Sequence, residues 1–239
     1  MPALVVENNN MLLSLLIPTM TSRQQVFTQL YEALQIQIRT SQWASEVEIL
    51  IELDGGEASI GQKRNALVGR ASGLFVAFID DDDLVSPDYV DLICSAITRE
   101  PKIDCIGIKG VITFRGSHPQ EFFYSLRYTE FYSKNHTYFR PPYHLNPMRR
   151  EIAVRYRFLD VSYSEDFEWA EQIRRDRALI NEEFIDSVLY YYRSRRSWSY
   201  QWLLDITEPV RHRFGIRLTN RFAVQKAIRS VAPKTSTTE

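Results

Sequence analysis

"LFVAFIDDDDLVSPDYV" fills residues 74–90: an apolar run, four consecutive aspartates (Asp80 to Asp83), then Ser-Pro-Asp before another apolar-periodic stretch. The run reads as a strand buried on both faces. "SPDYVDLICSAITRE" reads as a helix, with Ser86 as N-cap and Pro87 at the first helical position. Two similar units precede it. "LLSLLIP" ends at Pro18 and leads to Val26, Phe27, Leu30, Leu34 and Ile38 at helical spacing. "VEILIELD" (47–54) leads through "GGEAS" to a helix over residues 60–72, with Ser59 as N-cap and Gly73 at its stop. Three strand-helix units joined by short loops predict an α/β fold: a mostly parallel central sheet flanked by helices. Ligands of such sheets sit at the carboxyl ends of the strands, here Pro18-Thr19, Asp54-Gly55 and Asp80 to Asp83.

Beyond Pro101 the pattern changes. "DCIGIKGVITFRG" predicts one or two strands, residues 122–144 are rich in aromatics without a clear period, and "SEDFEWAEQIRRDRA" and "EFIDSVLYYYRS" predict a closing helix and strand. From Pro209 the chain carries Arg211, Arg213, Arg217, Arg221, Lys226, Arg229 and Lys234 against Glu239 alone, which predicts a basic helix and a disordered end. The expected organisation is one domain over 1–208, with halves of about 12–100 and 101–208, and a basic tail over 209–239.

At 239 residues, with 44% apolar and 25% charged residues, the chain can bury a sizeable core as a soluble globular protein. Its net charge of −1 marks no partner, and no nucleic acid is expected. Cys94 and Cys105 lack metal or disulfide spacing, which fits a reducing, cytoplasmic compartment. "MLLSLLIP" is far too short to span a bilayer.

Four adjacent carboxylates repel one another, and a cation removes that cost. Carboxylate oxygens suit Mg²⁺ or Mn²⁺, and alternate residues of an extended segment share a face, so Asp80 and Asp82 form a D-x-D directed into one cleft. A solvated turn capping the next helix is the competing reading. An EF-hand loop is excluded, because Leu84 and Val85 stand where a ligand and a glycine are required. An aspartyl-phosphate hydrolase usually carries its D-x-D on the first strand.

"SLLIPT", "ILIELDGG", "GQKRNALVGRASGLFVAFIDDDDLVSPDYV" and "YSEDFEWA" together resemble the successive motifs of family 2 glycosyltransferases, over about residues 12–195. The resemblance implies a GT-A fold, with a Rossmann-like nucleotide-binding half and an acceptor-binding half. It implies a hexosyltransferase-like activity on a nucleotide-sugar donor, a UDP-sugar foremost, with a glycan or glycolipid acceptor and Mn²⁺ or Mg²⁺. It places Thr19 and Asp54 near the base, with Glu52 as a second candidate. Arg64 approaches the nucleotide, while Lys63, about 100° round the helix, is read as solvated. Asp80 meets the ribose or nucleotide, Asp82 the metal, and Asp83 serves as a further or acceptor-side carboxylate. Asp81 is read as a solvated bystander. The E-D motif maps to Glu165-Asp166, with Ser164 as N-cap and Asp166 as the base of a single inverting displacement.

Tyr143, His144 and Asn146, in a Pro-rich loop, are candidates for the acceptor side, among aromatics that mostly form a hydrophobic layer. Arg193 and Arg195 can offset the charge of a departing diphosphate, but no histidine there supplies a third metal ligand. The basic tail is either a solvated helix face or a weak attachment to an anionic membrane. Two other functions stay open: a sugar-nucleotide nucleotidyltransferase, although "PTMTSRQQ" lacks the glycines such a loop needs, and a non-catalytic nucleotide or glycan binder.

Overall fold

The structure is a computed structural model and describes residues 11–196; the predicted basic tail and the expected boundary at 208 lie outside them. β1 (Leu13–Met20) passes through a 3-10 turn (Thr21–Arg23) into α1 (Gln24–Thr40), followed by β2 (Val47–Asp54), α2 (Ile60–Arg70) and β3 (Phe75–Phe78). Then come β4 (Leu84–Val85), α3 (Tyr89–Arg99), β5 (Cys105–Phe114), β6 (Ser117–Tyr124), β7 (Tyr132–Lys134) and β8 (Thr137–Arg140). β9 (Met148–Arg149), α4 (Arg150–Ala153), α5 (Glu165–Arg175) and β10 (Glu182–Ser194) complete the order.

The strands form one sheet in the order β2-β1-β3-β9-β5-β6-β8-β7, with β10 beside β5 and β4 attached to β10. β1 pairs parallel with β2 and with β3, as the three strand-helix units predict, and β10 runs parallel to β5. The aromatic segment with no readable period becomes β6, β7 and β8, a hairpin-built extension in which Phe122, Tyr124 and Tyr138 are buried. The parallel register brings the ends of β1, β2 and β3 to one edge of the sheet.

α2 and α5 pack on one face over Leu16, Val76 and Phe78, together with Ile152, Phe158 and Trp169. Phe158 stacks on Trp169 at 4.7 Å, and Phe78 meets both rings edge-on. On the other face, α1 lies against α3, with Leu30, Leu34, Ile93 and Ile97 buried.

Three boundaries differ from the sequence reading. α2 stops at Arg70 rather than 72, and Gly73 is not its cap: a Cβ there would lie 2.6 Å from the Ser14 amide, so the glycine permits close approach to β1. α3 begins at Tyr89 and Ser86 does not cap it, because Leu84 and Val85 pair with β10 and the Ser86 amide continues that pairing to Leu189 O. Ser164 adopts a left-handed backbone (φ 65°) and makes no side-chain cap. By contrast, Ser59 caps α2 as expected, in a reciprocal box with Gln62.

Candidate active site

The acidic run follows β3 as a turn, closed by the Asp83 amide donating to Asp80 O at 3.1 Å. Its four carboxylates separate into four environments. Asp80 takes a hydrogen bond from Arg64 Nη2 at 2.9 Å, and its other oxygen lies 3.5 Å from His144 Nε2. Asp81 is 1% exposed, accepts from Thr19 Oγ1 at 2.7 Å and pairs with Arg23 Nη1 at 2.9 Å. Asp82 faces Arg23 Nη2 at 2.5 Å and Arg195 Nη2 at 3.0 Å. Asp83, fully buried, accepts from Tyr190 Oη at 2.9 Å and from the Arg193 amide at 2.7 Å.

These environments set opposite proton affinities. Burial opposes ionisation of Asp80, but the Arg64 guanidinium, then His144 and Arg23, hold its carboxyl well below the usual range. Burial, together with Asp80 and Asp82, pushes Asp83 well above that range. Burial also raises Asp81, against the pull of Thr19 and Arg23. Asp81 is therefore no solvated bystander; it is locked beneath the end of β1.

α2 supplies two buried cations at the same edge. Its first turn lies against the ends of β1 and β2, so the face carrying Lys63 meets the sheet rather than water. Lys63 is 3% exposed, donates to Thr19 O at 2.7 Å and binds Asp54 Oδ1, correcting the expectation of a solvated side chain. The Lys63 hydrogen bond, with those from the Ala58 and Gly56 amides, holds Asp54 below its ordinary pKa. Arg64 lies 5.3 Å from the centre of the Phe78 ring and 5.6 Å from that of Phe158; its Nε is 3.6 Å from Glu165, and Nε and Nη1 have no hydrogen-bond partner. Burial works against the guanidinium charge, yet Asp80, Asp166 and Glu165 raise its pKa.

α5 brings the second carboxylate pair. Asp166 Oδ1 accepts from the Phe167 amide at 2.8 Å, and Oδ2 lies 3.4 Å from His144 Nδ1. Glu165 is buried, which with Asp166 raises its pKa. The His144 ring thus stands between Asp80, from the donor half of the sequence reading, and Asp166, from the acceptor half. Tyr143 adjoins it, its hydroxyl pushed up by burial and by Asp166, with Phe131 against both Tyr143 and Phe167.

Not every sequence candidate joins this cluster. Glu52 pairs with Arg70, at the far end of α2, at 2.6 Å. Asn146 is 1% exposed and fully engaged: Nδ2 donates to Ile106 O and Tyr124 O, and Oδ1 accepts from the Tyr143 amide, so it fixes the loop instead of meeting a ligand. Thr19 orients Asp81. Arg193 braces the turn, its amide on Asp83 and its Nε on Asp82 O at 2.6 Å. The sequence reading missed Arg23, Lys63 and Asp81 as site residues; a basic residue in the first loop after β1 was the available signal for Arg23.

Among the described residues no group of three or more His, Cys, Asp or Glu side chains is arranged to hold a metal. A protein-built cage is therefore absent from them. Asp82, partly open and balanced by arginines, fits the other arrangement, a single carboxylate anchoring a cation that draws its remaining ligands from phosphate and water. No helix among the described residues is long and apolar enough to cross a membrane.

No family model matches the sequence, and none of the curated proteins matches it. Solved structures do. S. aureus TarS 1-349 in complex with UDP superposes with a TM-score of 0.57 at 15% identity, over 90% of this chain and 75% of that one. S. aureus TarS 1-349 in complex with UDP-GlcNAc gives 0.55 at 16%, over 78% of this chain and 60% of that one. S. aureus TarS gives 0.57 at 16% identity, over 77% of this chain, which spans 37% of that one. At these identities the likeness establishes the architecture: a mostly parallel central sheet flanked by helices, in a GT-A-like glycosyltransferase fold.

Proposed function

We propose that the chain is a nucleotide-sugar glycosyltransferase of the family 2 type, inverting and metal-dependent. The observation that carries this reading is the approach of two carboxylates from opposite halves of the chain to a single imidazole: Asp80 3.5 Å from His144 Nε2 and Asp166 3.4 Å from Nδ1. A nucleotide-binding carboxylate and a general base must both lie close to one reacting sugar, and these two come together about one imidazole. The fold shared with a protein solved with UDP and with UDP-GlcNAc supports the same donor class.

In this reading Asp80, kept ionised by Arg64, accepts hydrogen bonds from the ribose, and Asp54, held by Lys63, lies at the base end. Asp82 is the residue that would hold Mn²⁺ or Mg²⁺; such a cation, when bound, neutralises charge on the leaving diphosphate. Asp166 Oδ2 takes the proton of the acceptor hydroxyl as that oxygen attacks the anomeric carbon and the bond to the diphosphate breaks. Tyr143 and Phe131 form the wall against which a glycan or glycolipid acceptor packs. The basic tail, outside the described residues, is the segment proposed to meet an anionic membrane.

A panel of nucleoside diphosphates, each with and without MnCl₂, tests this by thermal shift, since a ligand of the folded form raises Tm. UDP with Mn²⁺ is expected to raise it, Asp82→Ala to lose the metal-dependent part, and Asp166→Ala to keep the shift while losing transfer. No metal-dependent shift with any diphosphate would refute the reading.

A further inference from the structure

The carboxylate read as the metal anchor is held by two guanidinium groups on one oxygen: Arg23 Nη2 and Arg195 Nη2 both lie on Asp82 Oδ2, at 2.5 and 3.0 Å. Arg23 also pairs with Asp81 through Nη1, so two guanidinium groups here face two carboxylates, and both guanidinium groups lie on the oxygen of Asp82 that a cation would take. The two differ in exposure: Arg195 is 72% exposed, whereas Arg23, in the 3-10 turn, is 26% exposed and bridges Asp81 and Asp82. They reach Asp82 from distant parts of the sequence, Arg23 from the turn after β1 and Arg195 from just beyond β10. The other contact of Arg23, Asp81, is separately held by Thr19 and keeps that partner if the guanidinium leaves.

We propose that Arg23 and Arg195 are a diphosphate-binding pair stored on Asp82. Paired with Asp82, they neutralise it and compete with a cation for its oxygens. A guanidinium matches phosphate oxygens in a planar fork, so an arriving nucleoside diphosphate draws both arginines onto itself and leaves Asp82 to the cation. The exchange involves no covalent step and conserves charge locally: the anion replaces Asp82 as partner of the arginines, and the cation replaces the arginines as partner of Asp82. Diphosphate and cation then bind with positive coupling, and by linkage each strengthens the other by the same factor. The proposal rests on the nucleotide-sugar reading and adds Arg23, which the sequence motifs do not include.

Calorimetric titration of the full chain with UDP alone, MnCl₂ alone, and each in the presence of the other tests it. The wild type is expected to bind Mn²⁺ weakly alone and tighter with UDP, by a factor roughly within the 5- to 150-fold range of site-to-site coupling. Arg195→Ala, at an exposed position, and Arg23→Lys, which keeps the charge but loses the fork, are each expected to bind UDP more weakly by about 10-fold or more, the loss of one charge-assisted contact. Arg195→Ala is also expected to bind Mn²⁺ alone more tightly, and both variants to show a reduced coupling factor. If the wild type binds UDP with Mn²⁺ while both variants keep wild-type affinities, the stored pair is overturned and the nucleotide reading stands. If the wild type binds no nucleoside diphosphate, both fall.

Discussion

Replacing Arg64 with methionine isolates the electrostatic role of a fully enclosed cation at the site. The side chain is 4% exposed and lies against the rings of Phe78 and Phe158, which methionine can continue to cover. What disappears is the charge facing Asp80 at 2.9 Å and Glu165 at 3.6 Å. Removing one partner of a buried pair costs about 3–5 kcal/mol, and with two carboxylates left behind we expect about 4 kcal/mol near pH 7.5. The pH dependence follows from the shifts. Asp80 is held below its unfolded pKa, so its stabilising contribution is present above about pH 3.9 and lost as pH falls below it. Without Arg64, burial dominates at Asp80 and adds to the raised Glu165, so stability of the variant is instead lost as pH rises through their folded values. The gap between wild type and Arg64→Met therefore narrows from pH 7.5 to pH 4.5. Urea denaturation at both pH values, with the Arg64→Met/Asp80→Asn double variant completing a cycle, reads this directly. A loss below about 1 kcal/mol, the worth of an exposed ion pair, or an equal loss at both pH values would refute the reasoning.

Asp83→Asn removes a buried charge whose folded pKa is raised, so it should leave stability unchanged at low pH and increase it as pH rises toward 8, measured by urea denaturation; a fall in stability at pH 8 would contradict the burial argument. Lys63→Met strands Thr19 O beneath the end of β1 and should cost about 1–3 kcal/mol, read from the denaturation midpoint, whereas a solvated lysine would cost almost nothing. Trp169→Ala empties the stack on Phe158 and should cost about 3–5 kcal/mol in the same assay. Asn146→Ala should lower Tm, by freeing the Tyr143 amide and the carbonyls of Ile106 and Tyr124, and a Tm unchanged within error would mean the loop does not depend on it.

Much of the architecture was legible because it is local. Apolar runs of strand length, helical spacing after each, and Ser59 with Gln62 at the start of α2 specify strand-helix units without knowledge of the whole, and short loops make them parallel. The same logic placed Asp54 and Asp80 at the ligand edge, and the family resemblance added Arg64. It failed where a long-range partner overrides a local signal. The Ser-Pro-Asp start of α3 looked complete, but the two residues before it pair with β10, so Ser86 is held by Leu189. Glu52 and Asp54 share one face of β2, yet only the docking of α2 shows that Glu52 meets Arg70 while Asp54 meets Lys63.

The sequence by itself determined that four aspartates close a buried strand at the edge where ligands of a parallel sheet bind, because strand, turn and helix follow from spacing over a few residues. Only the tertiary structure decided what each aspartate faces. Arg23 and Thr19 from β1 and its turn, Arg64 from α2, His144 from the Pro-rich loop, and Tyr190, Arg193 and Arg195 from the last strand all converge on that turn. Burial and charge at a carboxylate are sums over everything packed around it, and most of what surrounds these four comes from distant parts of the chain.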